Sequence, residues 1–234
     1  MFELLSFGDT GWGDDLLKGA VITVQLALCS VALGFSLGLM LAILKLSRFA
    51  LLRWLAEAYT LFVRGVPEFL ILLLVFFGSE QLINSALASL GSEATIAVPK
   101  FAAAVAGLSL IFAAYSCEVF RGAYLSVPPG QMEAAEAVGM TKMQGFMRIR
   151  MPQLWRFAIP GLGNLWMVML KDTSLAAVIA LDELLRVAKV AGESTSNPLM
   201  FFVTAGLIYL CLTALSDILR DKAEKSAQKG VVSQ

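Results

Sequence analysis

Five runs of mostly apolar residues, each long enough to cross a lipid bilayer as an α-helix, constrain the fold of this chain more than any other feature. The clearest run covers residues 21–44 and contains no charged residue. A helix needs about 20 such residues to cross the hydrocarbon layer of a membrane. We therefore predict five membrane spans, at about 21–44, 55–78, 101–125, 157–181 and 199–218.

The composition favours the same class of protein. Hydrophobic residues make up 58% of the 234 residues and charged residues 15%, whereas a typical soluble domain is about 25% charged. The formal net charge is zero, which does not favour nucleic-acid binding. The chain has no histidine, which excludes histidine-based catalytic triads and imidazole metal sites. We predict an all-α polytopic membrane protein with no metal site, as one transmembrane domain (1–234) with a core of about 19–219.

The distribution of lysine and arginine predicts the orientation, because cytoplasmic segments of membrane proteins hold the excess of positive charge. One set of segments between the spans holds twelve of these residues: Lys45, Arg48, Arg53, Arg121, Lys142, Arg148, Arg150, Arg156, Arg220, Lys222, Lys225 and Lys229. The other set holds four: Lys18, Lys100, Arg186 and Lys189. We therefore expect the N-terminus outside the cell, and both the segment 126–156 and the tail 220–234 in the cytoplasm.

Three local patterns predict further structure. Gly34 and Gly38 form a small-xxx-small pair, which either lets a neighbouring helix approach closely or arises by chance in a glycine-rich helix. Residues 182–197 have apolar residues at helical spacing and predict a short amphipathic helix on the outer face. The three cysteines lie far apart in apolar runs, and we interpret them as small core residues.

The segment 126–156 interrupts the apolar pattern with a polar insertion. Two prolines, Pro128 and Pro129, end the third span because proline disfavours helical geometry in the residue before it and lacks an amide donor. Good helix formers follow, so a slim, alanine-rich helix is predicted to begin near Gln131. Gly139 is predicted to stop or kink this helix. From the alanines alone, an ordinary amphipathic cytoplasmic helix without a partner would explain the segment.

The spacing of this segment carries a family resemblance. It fits the pattern E-A-A-x3-G-x9-I-x-x-P and resembles the cytoplasmic coupling loop in the membrane subunits of bacterial ABC importers. The matching residues are Glu133, Ala134, Ala135, Gly139, Ile149 and Pro152, while Met151 stands where leucine is common. The resemblance implies the type I ABC importer permease fold, in which a short coupling helix seats in a cleft of the ATP-hydrolysing subunit.

Four further segments narrow the resemblance. Residues 64–68, 118–123, 126–131 and 171–175 look like segments of permeases for polar amino acids. That group includes permeases for histidine, lysine, arginine, ornithine and glutamine, and for the amino-acid conjugates called opines. The resemblance therefore implies a polar amino acid or amino-acid derivative as the substrate, with a basic amino acid or an opine favoured.

Charged residues inside the predicted spans suggest where a substrate passes, since each buried charge costs about 2.5 to 3.5 kcal/mol by insertion scales. An amino acid carries both an ammonium and a carboxylate group. We predict that Asp172 and Glu118 meet the ammonium group. The remaining candidates are polar lining residues (Thr173, Ser116 and Tyr115) and cations for the carboxylate (Arg64, Arg121 and Lys171). Alternatively, Glu118 pairs with Arg121, and Lys171 with a neighbouring acid, simply to hold the helices together.

No phosphate-binding G-x-x-x-x-G-K-[ST] loop occurs, so this chain is not itself the ATPase. We predict a non-enzymatic permease subunit of the bacterial inner membrane that binds no cofactor. Its implied partners are a pair of ATPase subunits that use ATP, a second permease subunit (identical or homologous) and a periplasmic solute-binding protein. The main alternative is a secondary amino acid transporter driven by an ion gradient, which usually has internal repeats. A channel subunit and an intramembrane enzyme are further alternatives, and no nucleophile-and-base constellation supports the enzyme.

Overall fold

The structure is a computed structural model that describes residues 2–8, 11–92 and 94–227. Within these residues the chain forms α-helices and short helical turns and contains no strand. The α-helices are α1 (Gly13–Lys45), α2 (Ala50–Gly65), α3 (Glu68–Ser89), α4 (Lys100–Leu125), α5 (Pro129–Ala137), α6 (Lys142–Gly145), α7 (Met151–Asp172), α8 (Leu184–Thr195) and α9 (Pro198–Ala227). A π-helical turn (Phe146–Arg150) precedes α7, and 3₁₀ turns occur at Phe2–Leu5 and Thr173–Ile179.

Five helical segments in the described part of the chain are long and apolar enough to span a membrane, which confirms the predicted number. They are Gly13–Lys45, Glu68–Ser89, Lys100–Leu125, Lys142–Ile179 and Pro198–Ala227. Helices α1 and α4 run parallel, since Gly34 lies against Ser109 and Lys45 pairs with Glu118. We call the end of the bundle that holds Lys45 and α5 the loop end, and the opposite end, which holds α8, the α8 end.

The second predicted span, residues 55–78, is wrong in its bounds because it crosses a break between two helices. Helix α2 ends at Gly65, and Val66 is extended with φ −103° and ψ 139°. Pro67 then precedes α3, which continues to Ser89. Proline disfavours helical geometry in the residue before it. The apolar span is therefore α3, and the charges predicted inside a single helix lie instead at a helix junction.

The fourth and fifth spans also differ from their predicted bounds. The fourth begins earlier, since α7 starts at Met151. It then changes after Asp172 to a 3₁₀ turn that ends at Ala180, where φ is +58°. Helix α9 continues to Ala227, so the first part of the predicted tail 220–234 is helical. The remainder of that tail, with Lys229, lies outside the described residues.

Helix α4 lies at the centre of the bundle. Of its span, 67% is buried, compared with 11% for the span in α3. Small residues let α1 approach it closely: a Cβ atom added to Gly34 would lie 2.7 Å from the Ser109 carbonyl oxygen, and one added to Gly38 would lie 2.0 Å from the Ser116 Oγ. Of the two alternatives for this glycine pair, the structure shows the close approach of a neighbouring helix.

The amphipathic helix predicted at 182–197 is confirmed as α8, which is held at its N-terminus by a buried carboxylate. Glu183 is fully buried and accepts hydrogen bonds from the backbone N–H groups of Leu185 (2.9 Å) and Arg186 (2.8 Å). The Tyr209 hydroxyl on α9 donates a third bond at 3.0 Å. Burial raises the pKa of the Glu183 carboxyl, while these hydrogen bonds act in the opposite direction.

The cysteines are not all core residues. Cys117 is buried, as predicted, but Cys29 and Cys211 lie on the surface of this chain. The prediction is wrong for those two, because an apolar run does not specify whether a given position faces the bundle interior or the surrounding lipid.

Candidate functional site

The loop segment, residues 126–156, begins with the predicted slim helix. Helix α5 starts at Pro129, two residues before the predicted Gln131, because proline is tolerated at the first helical position. It ends at Ala137, and two residues later Gly139 has a φ of +83°, a left-handed conformation that favours glycine. There the Gly139 N–H donates to the Glu136 carbonyl (2.9 Å) and the Met140 N–H to the Ala135 carbonyl (3.0 Å). Gly139 therefore stops the helix, as predicted.

After Gly139 the loop segment folds back on itself. Thr141 and Gln144 form a capping box that starts α6. Gly145 then packs on α5, where an added Cβ atom would lie 3.0 Å from Met132 Cε and 3.4 Å from Ala135 Cβ. The π-helical turn at Phe146–Arg150 follows and leads directly into α7. The loop segment is thus a compact hairpin of short helices.

The six residues that match the motif divide into two groups. Ala135 is buried inside the hairpin, with 4% of its surface exposed, and Ile149 is half-buried. The exposed members are Glu133, Ala134, Gly139 and Pro152. The same segment also exposes apolar side chains that the motif does not contain, namely Val138, Met143 and Met147. Exposed apolar side chains beside acidic residues are suited to contact with another protein.

The loop segment is attached to the end of α4 by a half-buried arginine. Arg150 Nη1 donates to the Tyr124 hydroxyl at 2.6 Å. The Arg150 Cζ also lies 4.6 Å from the centroid of the Tyr124 ring. Sequence reasoning missed Tyr124, because the residues are 26 positions apart and no local pattern relates them. The pair joins the hairpin to the central helix of the bundle.

A second group of polar residues lies beside the ends of helices α2, α3 and α7. It contains Arg64 at the end of α2, Glu68 at the start of α3, Tyr115 on α4 and Asp172 at the end of α7. We call these four residues the polar cluster. The Arg64 Cζ lies 5.6 Å from the centroid of the Tyr115 ring. Tyr115 interacts electrostatically with Glu68 and Asp172, and Asp172 interacts with Glu68 and Lys171.

The polar cluster brings together three predicted pathway residues, Arg64, Tyr115 and Asp172, and adds one that was missed. The spacing of Glu68, four positions after Arg64, is a sequence signal that could have identified it as a member of the cluster. The intervening Pro67 makes the helix irregular, so the spacing alone did not place both side chains near Tyr115. The cluster offers both signs of charge, as a zwitterion requires; in this chain Arg64 is exposed, and Glu68, Tyr115 and Asp172 are half-buried.

The other predicted pathway residues lie elsewhere. Glu118 accepts from Arg121 (2.9 Å), so the expected Glu118–Arg121 pair is present, but it lies within α4. The pair that joins two helices is the one between Glu118 and Lys45 of α1. Ser116 is fully buried against Gly38 of α1. Thr173 is fully buried and donates to the Leu170 carbonyl at 2.8 Å. The substrate roles of these residues, and that of the exposed Lys171, stay predictions.

No group of three or more His, Cys, Asp or Glu side chains among the described residues is arranged to hold a metal ion. The candidate site consists of the exposed hairpin at the loop end and the polar cluster of mixed charge.

Comparison with known proteins adds sequence relatives. A family model described as the binding-protein-dependent transport system inner membrane component matches residues 34–229. The nopaline transport system permease protein NocQ of Agrobacterium fabrum is 47% identical over 232 residues, covering 99% of this chain and 98% of that protein. The histidine/lysine/arginine/ornithine transport system permease protein HisQ of Salmonella typhimurium is 41% identical over 207 residues, covering 88% and 90% respectively.

Two solved structures of ABC transporters have a fold similar to that of this chain. A crystal structure of an amino acid ABC transporter with histidines has a TM-score of 0.79 at 28% identity, covering 92% of this chain and 95% of that chain. An inward-facing structure of the MetNI methionine ABC transporter has a TM-score of 0.72 at 17% identity, covering 92% and 97%, which shows a common fold alone.

Proposed function

The chain belongs to the family of binding-protein-dependent transport system inner membrane components, and we propose that it is the permease subunit through which an ABC importer passes a polar amino acid or an opine. The fold is that of type I ABC importer permeases, and the protein is a multi-pass inner membrane protein rather than an enzyme. ATP is used by the partner ATPase and not by this chain.

The observation that carries the proposal is the loop segment. It presents Glu133, Ala134 and Gly139 on the surface of a rigid hairpin that continues directly into α7 and is bonded to α4. An ATPase that seats α5 in a cleft would therefore move two helices of the bundle directly. We expect the exposed motif residues to contact the ATPase, and Ala135 and Ile149 to maintain the hairpin.

A basic amino acid or an opine is the favoured substrate. The relatives named above transport nopaline or histidine, lysine, arginine and ornithine. The polar cluster has the charges that such molecules need, with Asp172 and Glu68 for an ammonium or cationic side chain and Arg64 for a carboxylate. Thr173, Ser116, Tyr115, Glu118, Arg121 and Lys171 complete the candidate set for the pathway.

The partners and orientation follow the same reasoning. The importer would contain two permease subunits, two ATPase subunits and a periplasmic solute-binding protein. The excess of lysine and arginine at the loop end favours a cytoplasmic location for that end and for the C-terminus. The N-terminus and α8 would then lie on the outer side, where the binding protein delivers the substrate.

Gentle purification of the tagged chain, followed by identification of the co-purifying proteins, tests this proposal. We expect an ATPase subunit to co-purify, and proteoliposomes that contain the complex to take up labelled arginine, histidine or nopaline only with ATP inside. Competition among unlabelled amino acids then ranks the substrates. Uptake driven by an ion gradient, without ATPase and without ATP, would support a secondary transporter and contradict the proposal.

A further inference from the structure

A buried lysine at the loop end joins three helices that are separate in sequence. Lys45, the last residue of α1, has a side chain that is only 3% exposed. Its Nζ atom pairs with Glu118 on α4 and lies 2.9 Å from Glu57 Oε2 on α2. A lysine at the end of a membrane helix ordinarily extends its ammonium group to the polar interface. Here the ammonium group is instead directed into the bundle.

The environment of the two carboxylates differs. The Glu118 side chain is 22% exposed and accepts a second ion pair from Arg121 on its own helix. The Glu57 side chain is 68% exposed. Removing Lys45 would therefore leave Glu118 paired with Arg121 and Glu57 in contact with water, so neither carboxylate would become a buried, unpaired charge. The fold does not depend on Lys45 for charge balance.

Helix α2 is held to α4 by this contact and by the Tyr59 hydroxyl, which donates to the Leu110 carbonyl at 2.8 Å. Its buried side chains are the small or medium-sized Ala56, Thr60 and Val63. The extended Val66 separates α2 from α3, and such a break allows two helices to move relative to each other. The contact at Glu57, in the middle of α2, can therefore contribute to the position of the helix.

Helices α2 and α4 each extend from the loop end of the bundle toward the polar cluster. On α4, Tyr124 holds Arg150 of the loop segment, and Glu118 lies about 9 Å further along the helix axis. On α2, Glu57 holds Lys45, and Arg64 of the polar cluster lies about 10 Å further along. A displacement of the hairpin thus reaches Arg64 through two rigid helices and one shared ammonium group.

We infer that Lys45, Glu57 and Glu118 form a three-helix tie that makes α2 follow α4 when the loop segment moves, so that Arg64 shifts within the polar cluster. This inference rests on the proposed function and assigns Lys45 and Glu57 as positioning residues that contact neither the substrate nor the ATPase. Breaking the tie separates ATP hydrolysis from transport without preventing assembly.

The test compares variants of the complete importer in proteoliposomes, with labelled arginine as the probe and nopaline as the second probe. For Lys45→Met, we expect the number of arginine molecules transported per ATP hydrolysed to fall about tenfold, within the usual range of coupling between sites. For Glu57→Gln, which leaves the Lys45–Glu118 pair intact, the same ratio falls about threefold, since an exposed ion pair contributes less. Both variants assemble with the ATPase.

The matched control is Glu193→Gln, which removes the exposed Glu193 side chain from its 3.9 Å pair with Lys189 on α8 and leaves the ratio unchanged. The inference is overturned if both Lys45→Met and Glu57→Gln keep the wild-type ratio. It is also overturned if Lys45→Met loses transport only in proportion to lost assembly while Glu57→Gln keeps that ratio. A wild-type complex that transports neither probe with ATP contradicts the proposed function instead, which separates the two failures.

Discussion

Replacing Gly34 by alanine is expected to force α1 away from α4. The added Cβ atom would lie 2.7 Å from the Ser109 carbonyl oxygen and 2.9 Å from Phe112 Cβ. Because both atoms are held by α4 itself, no side-chain rotation can relieve the overlap, and the two helices must separate. Overpacking of this kind costs about 1 to 3 kcal/mol. The better helix propensity of alanine returns up to about 1 kcal/mol.

Taking about 2 kcal/mol for the overpacking and about 1 kcal/mol for the helix propensity, the net destabilisation is about 1 kcal/mol, or a Tm lower by roughly 2 to 4 °C for a chain of this size. Thermal unfolding followed by tryptophan fluorescence in detergent measures the shift. Gly206→Ala on α9 is the matched control, since an added Cβ atom there meets nothing within 4 Å and the Tm should stay equal or rise. If Gly34→Ala is as stable as Gly206→Ala, the close packing of α1 on α4 is refuted.

Three further predictions concern transport, ATPase binding and pH. Asp172→Asn is expected to lower both transport and substrate-stimulated ATP hydrolysis at least about tenfold in proteoliposomes; unchanged values would remove Asp172 from the pathway. Replacing both Glu133 and Gly139 by lysine reverses a charge on α5 and strains a residue with φ +83°, so the ATPase should no longer co-purify; normal assembly and pumping would contradict the docking role. Because burial raises the folded-state pKa of Glu183, its stabilising contribution is complete below the ordinary carboxyl pKa and is lost as the pH rises through the raised value. The Tm advantage of the wild type over Glu183→Gln should therefore shrink with rising pH, and a gap that widens would show that the ionised form is preferred.

Local sequence was sufficient for the number of spans and for helix α5 with its stop at Gly139. The apolar runs predict the five spans because membrane insertion depends on summed hydrophobicity, and α5 and its stop at Gly139 follow from proline, alanine and glycine preferences. The bounds of the second span could not be predicted from summed hydrophobicity. Its hydropathy is continuous across Pro67, and only the backbone shows that the chain breaks there into α2 and α3.

The family pattern also indicated which loop residues belong to the motif, but not which of them are buried and which are exposed. Ala135 and Gly139 belong to the same motif, yet one is packed inside the hairpin and the other is exposed. That difference depends on the packing of Gly145 against Ala135 of α5, and these two residues are ten positions apart in sequence. No periodicity in the segment encodes it.

Sequence by itself therefore determined the membrane class, the number of spans and the position of the loop segment, because each depends on the summed properties of consecutive residues. Only the tertiary structure decided which charges meet. Lys45 pairs with Glu118, 73 residues away, and Glu68 joins Tyr115 and Asp172 from separate helices. Membrane helices are apolar on all sides, so hydrophobicity does not mark their contact faces, and the partners of buried charges follow from packing alone.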